Sequence, residues 1–249
     1  MTKNRTRAML LRDEPAYGIT LTAGAPVAGE VLAQAGFDFI MVDNQHGLWD
    51  ETGTMLAYRS IVLGGATPML RVQKNDYYTI GRALDSGALG VIVPMVNSVE
   101  DAQEAARAMR YPPRGERSIG PFGASFHGAD YLEWINDKVY LGVQIESITA
   151  AERAEAILSV DGVDGCWVGP ADLAASMGLD LTVTADQAVH EETILQVLEA
   201  CRKAGKVPGI AGRPHNASDW VARGMRFVTV GSDGMLLSEG ATAILADLR

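Results

Sequence analysis

The sequence predicts a single (β/α)8 barrel spanning residues 1–249. Three observations lead there. Short apolar runs recur along the chain, and each is followed by a segment with helical spacing and helical caps. No two runs are joined by a hairpin turn, so successive strands need crossovers and must lie parallel. The runs are rich in Val, Ile and Leu with little alternation, as strands covered on both faces are. The competing architecture is a doubly wound open sheet. The absence of a Gly-x-Gly-x-x-Gly after the first strand counts against its dinucleotide-binding form.

Taken in order, Tyr17–Leu21 is the first strand, and Val27–Ala35 is a helix closed by Gly36. Phe39–Val42 is a buried strand, and the helix Glu51–Leu63 stops at Gly64-Gly65. Pro68–Val72 is the third strand. Asp76–Ser86 follows as a helix capped by Asn75 or Asp76 and ended by Gly87. Gly90–Pro94 is the fourth strand, and the helix Ser98–Met109 carries Ser98 as its cap. Arg110–Asp130 is irregular and rich in Gly and Pro, too long for an ordinary connection. Then come the strand Tyr140–Ile145, the helix Ala150–Leu158 and the strand Val163–Val168. Two helices follow, Ala171–Met177 and Ala185–Ala204. The chain ends with the strand Val207–Ala211, the helix Ser218–Arg223, the strand Phe227–Val230 and the helix Leu236–Leu248.

Composition narrows the function. A net charge of −10 leaves no basic face for nucleic acid. The two cysteines, Cys166 and Cys201, make no disulfide framework and suit a reducing compartment. The basic stretch Met1–Arg12 is followed by no apolar run long enough for a signal peptide. No stretch approaches the ~20 apolar residues of a membrane span. The expectation is a soluble, cytoplasmic protein with neither nucleic-acid nor membrane partners.

In a barrel, chemistry collects where strands end. The second strand ends in Asp43-Asn44-Gln45-His46, the third in Arg71, the fifth in Gln144-Ile145-Glu146, and the sixth in Gly169-Pro170-Ala171-Asp172. Each residue alone has an ordinary reading: a turn, a cap, an exposed loop histidine, a rim ion pair. Together they put one His, one Arg and three acids at one mouth. Glu146 and Asp172 offer two hard oxygen ligands, which favours Mg²⁺ or Mn²⁺, with Co²⁺, Ni²⁺ or Zn²⁺ as substitutes. Such an ion leaves positions for the keto and carboxylate oxygens of a 2-oxo acid. Pro170 opens a helix, and the N–H groups of Ala171 and Asp172 would take that carboxylate. Arg71 would stabilise the keto oxygen as it becomes a metal-stabilised enolate. His46, oriented by Asp43, is the acid/base group suited to neutral pH. This is chemistry for proton abstraction beside a carbonyl and for making or breaking a C–C bond.

A Schiff base is the rival. Lys138 and Lys206 precede strands, Lys3 is in the tail and Lys203 on a helix, so only Lys74 could reach the mouth, and Gln73-Lys74-Asn75-Asp76 reads as a solvated loop.

With these residues in place, the chain resembles the HpcH/HpaI-type aldolases, class II pyruvate aldolases related to citrate lyase β-subunits. The motifs are Asp43-x-x-His46, Arg71 with Asn75-Asp76, Val93-Pro94-Met95-Val96, Tyr111-Pro112-Pro113-x-Gly115-x-Arg117, Gln144-Ile145-Glu146, and Gly165-x-x-x-Gly169-Pro170-Ala171-Asp172-Leu173. The resemblance implies that Glu146 and Asp172 bind the metal. It implies that Arg71 contacts the pyruvyl oxygen, that His46 with Asp43 moves protons, and that Gln144 lines the site. It implies reversible cleavage of 4-hydroxy-2-oxo acids to pyruvate and an aldehyde. It also implies a homohexamer, a trimer of dimers that exchange the C-terminal helix. That would bury Leu236, Leu237, Ile244, Leu245 and Leu248. One departure is Gln45, where members often carry Glu; a neutral amide is neither a base nor an anionic partner.

The weaker signals are these. Arg114 and Arg117, in the irregular segment, are candidates for meeting an anionic acceptor end, against a plain surface or subunit-contact loop. Val230–Gly234 reads as a tight turn and helix start. His127, His190 and His215 read as surface residues. Trp49 walls the acceptor pocket or packs between subunits. Two further readings keep the same site, a 2-oxo diacid decarboxylase and an acyl-CoA lyase. A third, a non-catalytic barrel that binds a small acid, is disfavoured by the complete set of ionisable rim residues.

Overall fold

The computed structural model describes residues 3–249; Met1 and Thr2, the start of the basic N-terminal stretch, lie outside the described residues. The chain runs α1 (Arg5–Leu10), β1 (Ala16–Leu21), α2 (Pro26–Gln34), β2 (Phe39–Asp43), α3 (Glu51–Gly64), β3 (Thr67–Arg71), α4 (Tyr77–Ser86), β4 (Gly90–Val93) and α5 (Val99–Met109). It continues through α6 (Tyr131–Lys138), β5 (Tyr140–Ile145), α7 (Ile148–Glu152), α8 (Ala154–Leu158), β6 (Gly165–Val168), α9 (Pro170–Ser176) and α10 (Thr184–Lys203). Then come β7 (Gly209–Ala211), α11 (Ala217–Arg223), β8 (Phe227–Ser232) and α12 (Asp233–Leu248). The strands form one closed barrel in sequence order, each parallel to the next, with β8 returning to β1.

Caps set the helix starts. The carboxylates of Asp50 and Asp76 and the hydroxyl of Ser98 accept from the backbone N–H three residues on, opening α3, α4 and α5. The segment Ala150–Leu158, expected as one helix, is two short ones broken at Arg153. Two helices escape the sequence reading. α1 closes the bottom of the barrel: the Asn4 amide donates to the carbonyls of Leu89 (2.9 Å) and Lys138 (2.8 Å), and Leu10 joins the inner core. α6 buries Tyr131 and Ile135 after the irregular segment.

The side-chain period of two along each strand divides the barrel. Outward residues such as Ile40, Val42, Leu70, Val91 and Val143 pack under the helices in one large core. Inward residues build a second core low in the barrel, from Phe39, Met41, Met69, Ile92, Tyr140, Trp167 and Phe227. Phe39 and Phe227 stack with centroids 4.2 Å apart. One step up the same inward faces come Thr20, Asp43, Arg71, Gln144 and Thr229, all buried. The apolar floor therefore hands over to a polar layer at the C-terminal ends of the strands. No described helix is long and apolar enough to cross a membrane.

Candidate active site

Asp43 and Arg71 are register partners on adjacent strands, so their side chains leave the sheet side by side. Arg71 Nε donates to Asp43 Oδ1 (2.9 Å) and Arg71 Nη2 to Oδ2 (2.5 Å), a bidentate pair whose side chains are 10% and 2% exposed. The guanidinium also lies 5.3 Å from the centre of the Trp167 ring. Among the described residues, Arg71 Nη1 donates to no protein acceptor, which leaves that edge for a ligand.

Asp43 is placed differently from the sequence expectation. Its Oδ1 accepts the backbone N–H groups of Gln45 (3.0 Å) and His46 (3.3 Å), and its carbonyl accepts from Gly47 (3.0 Å). It fixes the turn that carries His46 and does not bond to the imidazole. His46 itself stands exposed on the rim.

Glu146 follows β5 and is 3% exposed. Its Oε1 accepts the N–H of Met95 (2.7 Å), and its Oε2 accepts Gln144 Nε2 (2.5 Å). Burial pushes its carboxyl pKa up, and the Met95 N–H pulls it back. The charge of Asp172 pushes upward again, and Arg71 pulls downward. Glu146 thus lies within the field of both Asp172 and Arg71. Gly169 makes that placement possible: a Cβ there would lie 2.9 Å from Gln144 Nε2 and 3.2 Å from Glu146 Oε2.

Asp172 sits in the first turn of α9, which Pro170 opens. That turn leaves the N–H groups of Ala171 and Asp172 without helical acceptors. His190 holds it in place, its ring Nε2 lying 2.8 Å from the Pro170 carbonyl oxygen, so Nε2 carries the proton. His190 was expected at the surface and is 8% exposed, because α10 packs its face against α9. His127 is likewise half-buried, with its Nε2 2.8 Å from the Gly87 carbonyl, while His215 is exposed as expected.

The two carboxylates suit a hard divalent cation. They supply only oxygen, and each Glu146 oxygen keeps a lone pair after its one hydrogen bond. Among the described residues no cluster of three or more His, Cys, Asp or Glu is arranged as a metal site. A two-carboxylate donor set leaves the remaining positions to water and substrate, as Mg²⁺ and Mn²⁺ favour. Lys74, the Schiff-base candidate, pairs with Asp76 at 3.2 Å and its side chain is 73% exposed.

Beside these residues a cavity of about 850 Å³ opens at the mouth, with Asp43, Arg71, Trp167, Pro170 and Ala171 on its inner wall. The family model for HpcH/HpaI aldolase/citrate lyase matches residues 19–240. The chain belongs to this family. A hydroxypyruvate/pyruvate aldolase of Rhizorhabdus wittichii is 37% identical over 99% of both chains. A 4-hydroxy-2-oxo-heptane-1,7-dioate aldolase of Escherichia coli is 36% identical over 98% of this chain and 94% of its own. The crystal structure of a HpcH/HpaI aldolase/citrate lyase family protein from Burkholderia cenocepacia J2315 superposes with a TM-score of 0.90, at 33% identity and 99% coverage of each chain.

Within the HpcH/HpaI frame the irregular segment takes a part other than the expected one. Arg117 turns inward, pairs with Asp85 (2.6 Å) and lies 4.4 Å from the Tyr111 ring centre; its side chain is 1% exposed. Arg114 pairs with Asp137 and lines a cleft with Arg110 and Lys206, away from the mouth. Neither lines the mouth cavity. Trp49 donates its indole N–H to the Leu21 carbonyl (2.9 Å) and does not line the mouth cavity. The tight turn expected over Val230–Gly234 is absent: Val230–Ser232 complete β8 and Asp233 starts α12 directly. Asp233 there accepts from the N–H groups of Thr22 (2.8 Å) and Ala23 (3.1 Å), and Ser232 caps α12. The sequence reading missed Met95 as a donor to Glu146, and His190.

Proposed function

We propose that the chain is a divalent-metal-dependent aldolase, one catalytic domain over residues 1–249, that reversibly cleaves 4-hydroxy-2-oxo acids to pyruvate, or a close 2-oxo acid, and an aldehyde. The observation that carries this is a buried Glu146, its two oxygens held by Met95 and Gln144 at the end of β5, at the same barrel mouth as the Asp43–Arg71 pair and Asp172 in the first turn after β6. Glu146 and Asp172 would hold Mg²⁺ or Mn²⁺. The ion would supply Lewis-acid polarisation of the 2-keto group.

The protein's own residues do the rest. The Ala171 and Asp172 N–H groups, framed by Gly169 and Pro170, bind and orient the substrate carboxylate. Gln144 holds Glu146 and lines the site. His46 takes the proton of the C4 hydroxyl; the C3–C4 bond breaks, the aldehyde leaves, and the electron pair passes into the enolate of the 2-oxo acid. Arg71 donates from Nη1 to the oxygen on which that charge develops, and Asp43 keeps the guanidinium aimed without spending that edge. Returning the proton to C3 gives pyruvate.

The same reading places the enzyme in the cytoplasm and in a homohexamer, a trimer of dimers. α12 supports the oligomer: Leu237 is 68% exposed and Leu248 76%, and Leu236, Ile244 and Leu245 are also exposed. An apolar helix on one chain needs another surface to cover it.

The test is pyruvate release from a panel of 4-hydroxy-2-oxo acids, after chelation and with Mg²⁺, Mn²⁺ or Co²⁺ restored, in wild type, Glu146→Ala and Lys74→Ala. Cleavage should need the metal and Glu146 and be indifferent to Lys74. Metal-independent cleavage abolished by Lys74→Ala would sink the reading in favour of a Schiff base.

A further inference from the structure

We propose that Trp167 is a positioning residue for both halves of the site: its ring face seats the Arg71 guanidinium, and its indole N–H pairs with the free Gln144 Oε1. One side chain then fixes the arginine and, through Gln144, the glutamate. The proposal rests on the aldolase reading above and adds a residue to the machinery that reading names.

Placement is the first argument. Trp167 points inward from β6, just before Gly169 and Pro170 lead into α9. Arg71 ends β3, three places away in the ring of strands, and so stands across the barrel from it. The guanidinium nevertheless comes within 5.3 Å of the ring centre. Asp43, on the neighbouring strand, holds Arg71 along one edge, through Nε and Nη2. An edge contact sets direction within the guanidinium plane and leaves the plane free to tilt about that edge. The indole supplies the missing support, from a different strand. An indole is the best aromatic face for a cation, and the attraction grows where water is excluded. Trp167 is 4% exposed, and Arg71 is buried as well.

Rigidity is the second. The ring belongs to the inner apolar core with Met69, Ile92, Tyr140 and Phe227. One inward step below it lie the register partners Gly142 and Gly165. A Cβ at Gly142 would run into Ile92 Cδ1, and one at Gly165 into Tyr140 Oη. Ile92 and Tyr140 thus fill the space that the glycines leave. The plate under Arg71 rests on a closed floor and cannot sink.

Unmatched polar atoms are the third. Trp167 Nε1 and Gln144 Oε1 are both buried, and neither has a hydrogen-bond partner among the described residues. Gln144 and Trp167 are register partners on β5 and β6, so their side chains leave the same inward face side by side. One atom is a donor only and the other an acceptor. A phenyl ring would fill this core without an N–H, and an indole N–H is costly to bury unless it is satisfied. Pairing the two, directly or through one water, satisfies both. It also sets the amide the right way round. With Oε1 turned to the indole, Nε2 is left for Glu146 Oε2, to which it donates at 2.5 Å. The reverse orientation would set an amide oxygen against the carboxylate.

The experiment compares wild type, Trp167→Phe and Trp167→Leu. It measures kcat for cleavage of one 4-hydroxy-2-oxo acid at saturating Mn²⁺, the affinity for Mn²⁺ without substrate by calorimetry, and the urea midpoint. Trp167→Phe keeps an aromatic face and removes the N–H. It should weaken Mn²⁺ binding about tenfold, the low end of what an outer partner of a metal ligand is worth, and lower kcat only several-fold. Trp167→Leu removes both. It should weaken Mn²⁺ binding by the same factor and lower kcat about 100-fold, as a misplaced catalytic group does. A side chain that merely fills the core would move both quantities in step with the urea midpoint. Mn²⁺ bound by Trp167→Phe as tightly as by wild type overturns the proposal, and that variant decides even where Trp167→Leu folds poorly. Equal kcat in the two variants overturns it as well. Wild type that neither binds Mn²⁺ nor cleaves removes the aldolase reading too; wild type that does both, beside variants that match it, removes this proposal alone.

Discussion

Replacing Asp43 by Ala tests whether the Asp43–Arg71 pair is the structural pivot of the mouth. The substitution removes an acceptor of four hydrogen bonds: from Arg71 Nε (2.9 Å) and Nη2 (2.5 Å) and from the N–H groups of Gln45 (3.0 Å) and His46 (3.3 Å). It leaves a guanidinium that is 10% exposed without its hydrogen-bonded carboxylate. Breaking a buried pair from one side costs about 3–5 kcal/mol, because the remaining charge stays desolvated. For a chain of this size that lowers Tm by on the order of 10 °C. Arg71→Met alone should also destabilise, since it leaves the Asp43 carboxylate buried with two backbone donors. The double variant Asp43→Leu/Arg71→Met should lose less than the sum, because it buries apolar groups in place of both charges. The assay is urea unfolding of the four proteins after chelation, assembled into a cycle. A loss below about 1 kcal/mol for Asp43→Ala, or single losses that add within about 0.5 kcal/mol, would refute the reasoning.

Two more outcomes follow from the geometry. Gly169→Ala keeps an allowed backbone, with φ at −97°, but its Cβ would lie 2.9 Å from Gln144 Nε2 and 3.1 Å from Glu146 Cβ. It should cost about 1–3 kcal/mol of stability and about 100-fold in kcat/KM, and full wild-type cleavage would count against the placement of Glu146. Burial holds the His127 pKa below its ordinary value of 6.5, against the raising effect of the Gly87 carbonyl. The unfolded chain therefore binds this proton first, and His127 withdraws stability as pH falls through 6.5 and below, levelling off under its folded value. Unfolding free energies of wild type and His127→Gln between pH 8 and pH 5 should converge toward the acid side, and a constant difference would contradict the assignment.

The barrel was legible because its signals are local. A buried parallel strand shows as an apolar run, and helix caps are single residues such as Asp50, Asp76 and Ser98. The boundaries of β1, β2, β3, β4 and β5 fall within one residue of their expected places. The expected starts of β6 and β7 are early by two residues, because Val163 and Val207 are apolar but precede the regular ladder; Val207 makes one isolated bridge to Gly165. α1 was missed because its burial comes from long-range bonds, such as Asn4 to Leu89 and Lys138, that no local pattern encodes. α6 was within reach, since Tyr131 and Ile135 have helical spacing and are both buried. The site residues were legible by type and place, but their pairing was not. Asp43 stands one strand from Arg71 and three residues from His46, and only register shows that its side chain serves the arginine. Arg114 and Arg117 were candidate acceptor ligands because they lie in a long loop. The loop instead turns Arg117 onto Asp85 and Tyr131.

The aim of Glu146 shows why such sites exceed the sequence. One of its oxygens is held by the backbone N–H of Met95, and Met95 has φ of +55°, in the left-handed region. That conformation costs a residue with a Cβ about 1–2 kcal/mol. Met95 is 54% exposed, so its side chain gains little burial in return. What the turn achieves is direction: after β4 and Pro94 the chain bends so that one N–H points across to the end of β5. The other oxygen is held by Gln144 two residues earlier on the same strand, a partner that alternation alone puts on the same inward face. One donor is encoded by side-chain identity and period, the other by a backbone angle that the motif Val93-Pro94-Met95-Val96 does not spell out. With one donor on each oxygen, the carboxylate is fixed in orientation yet keeps a lone pair on both atoms. On the proposed reading, that spare capacity is what a bound cation would use.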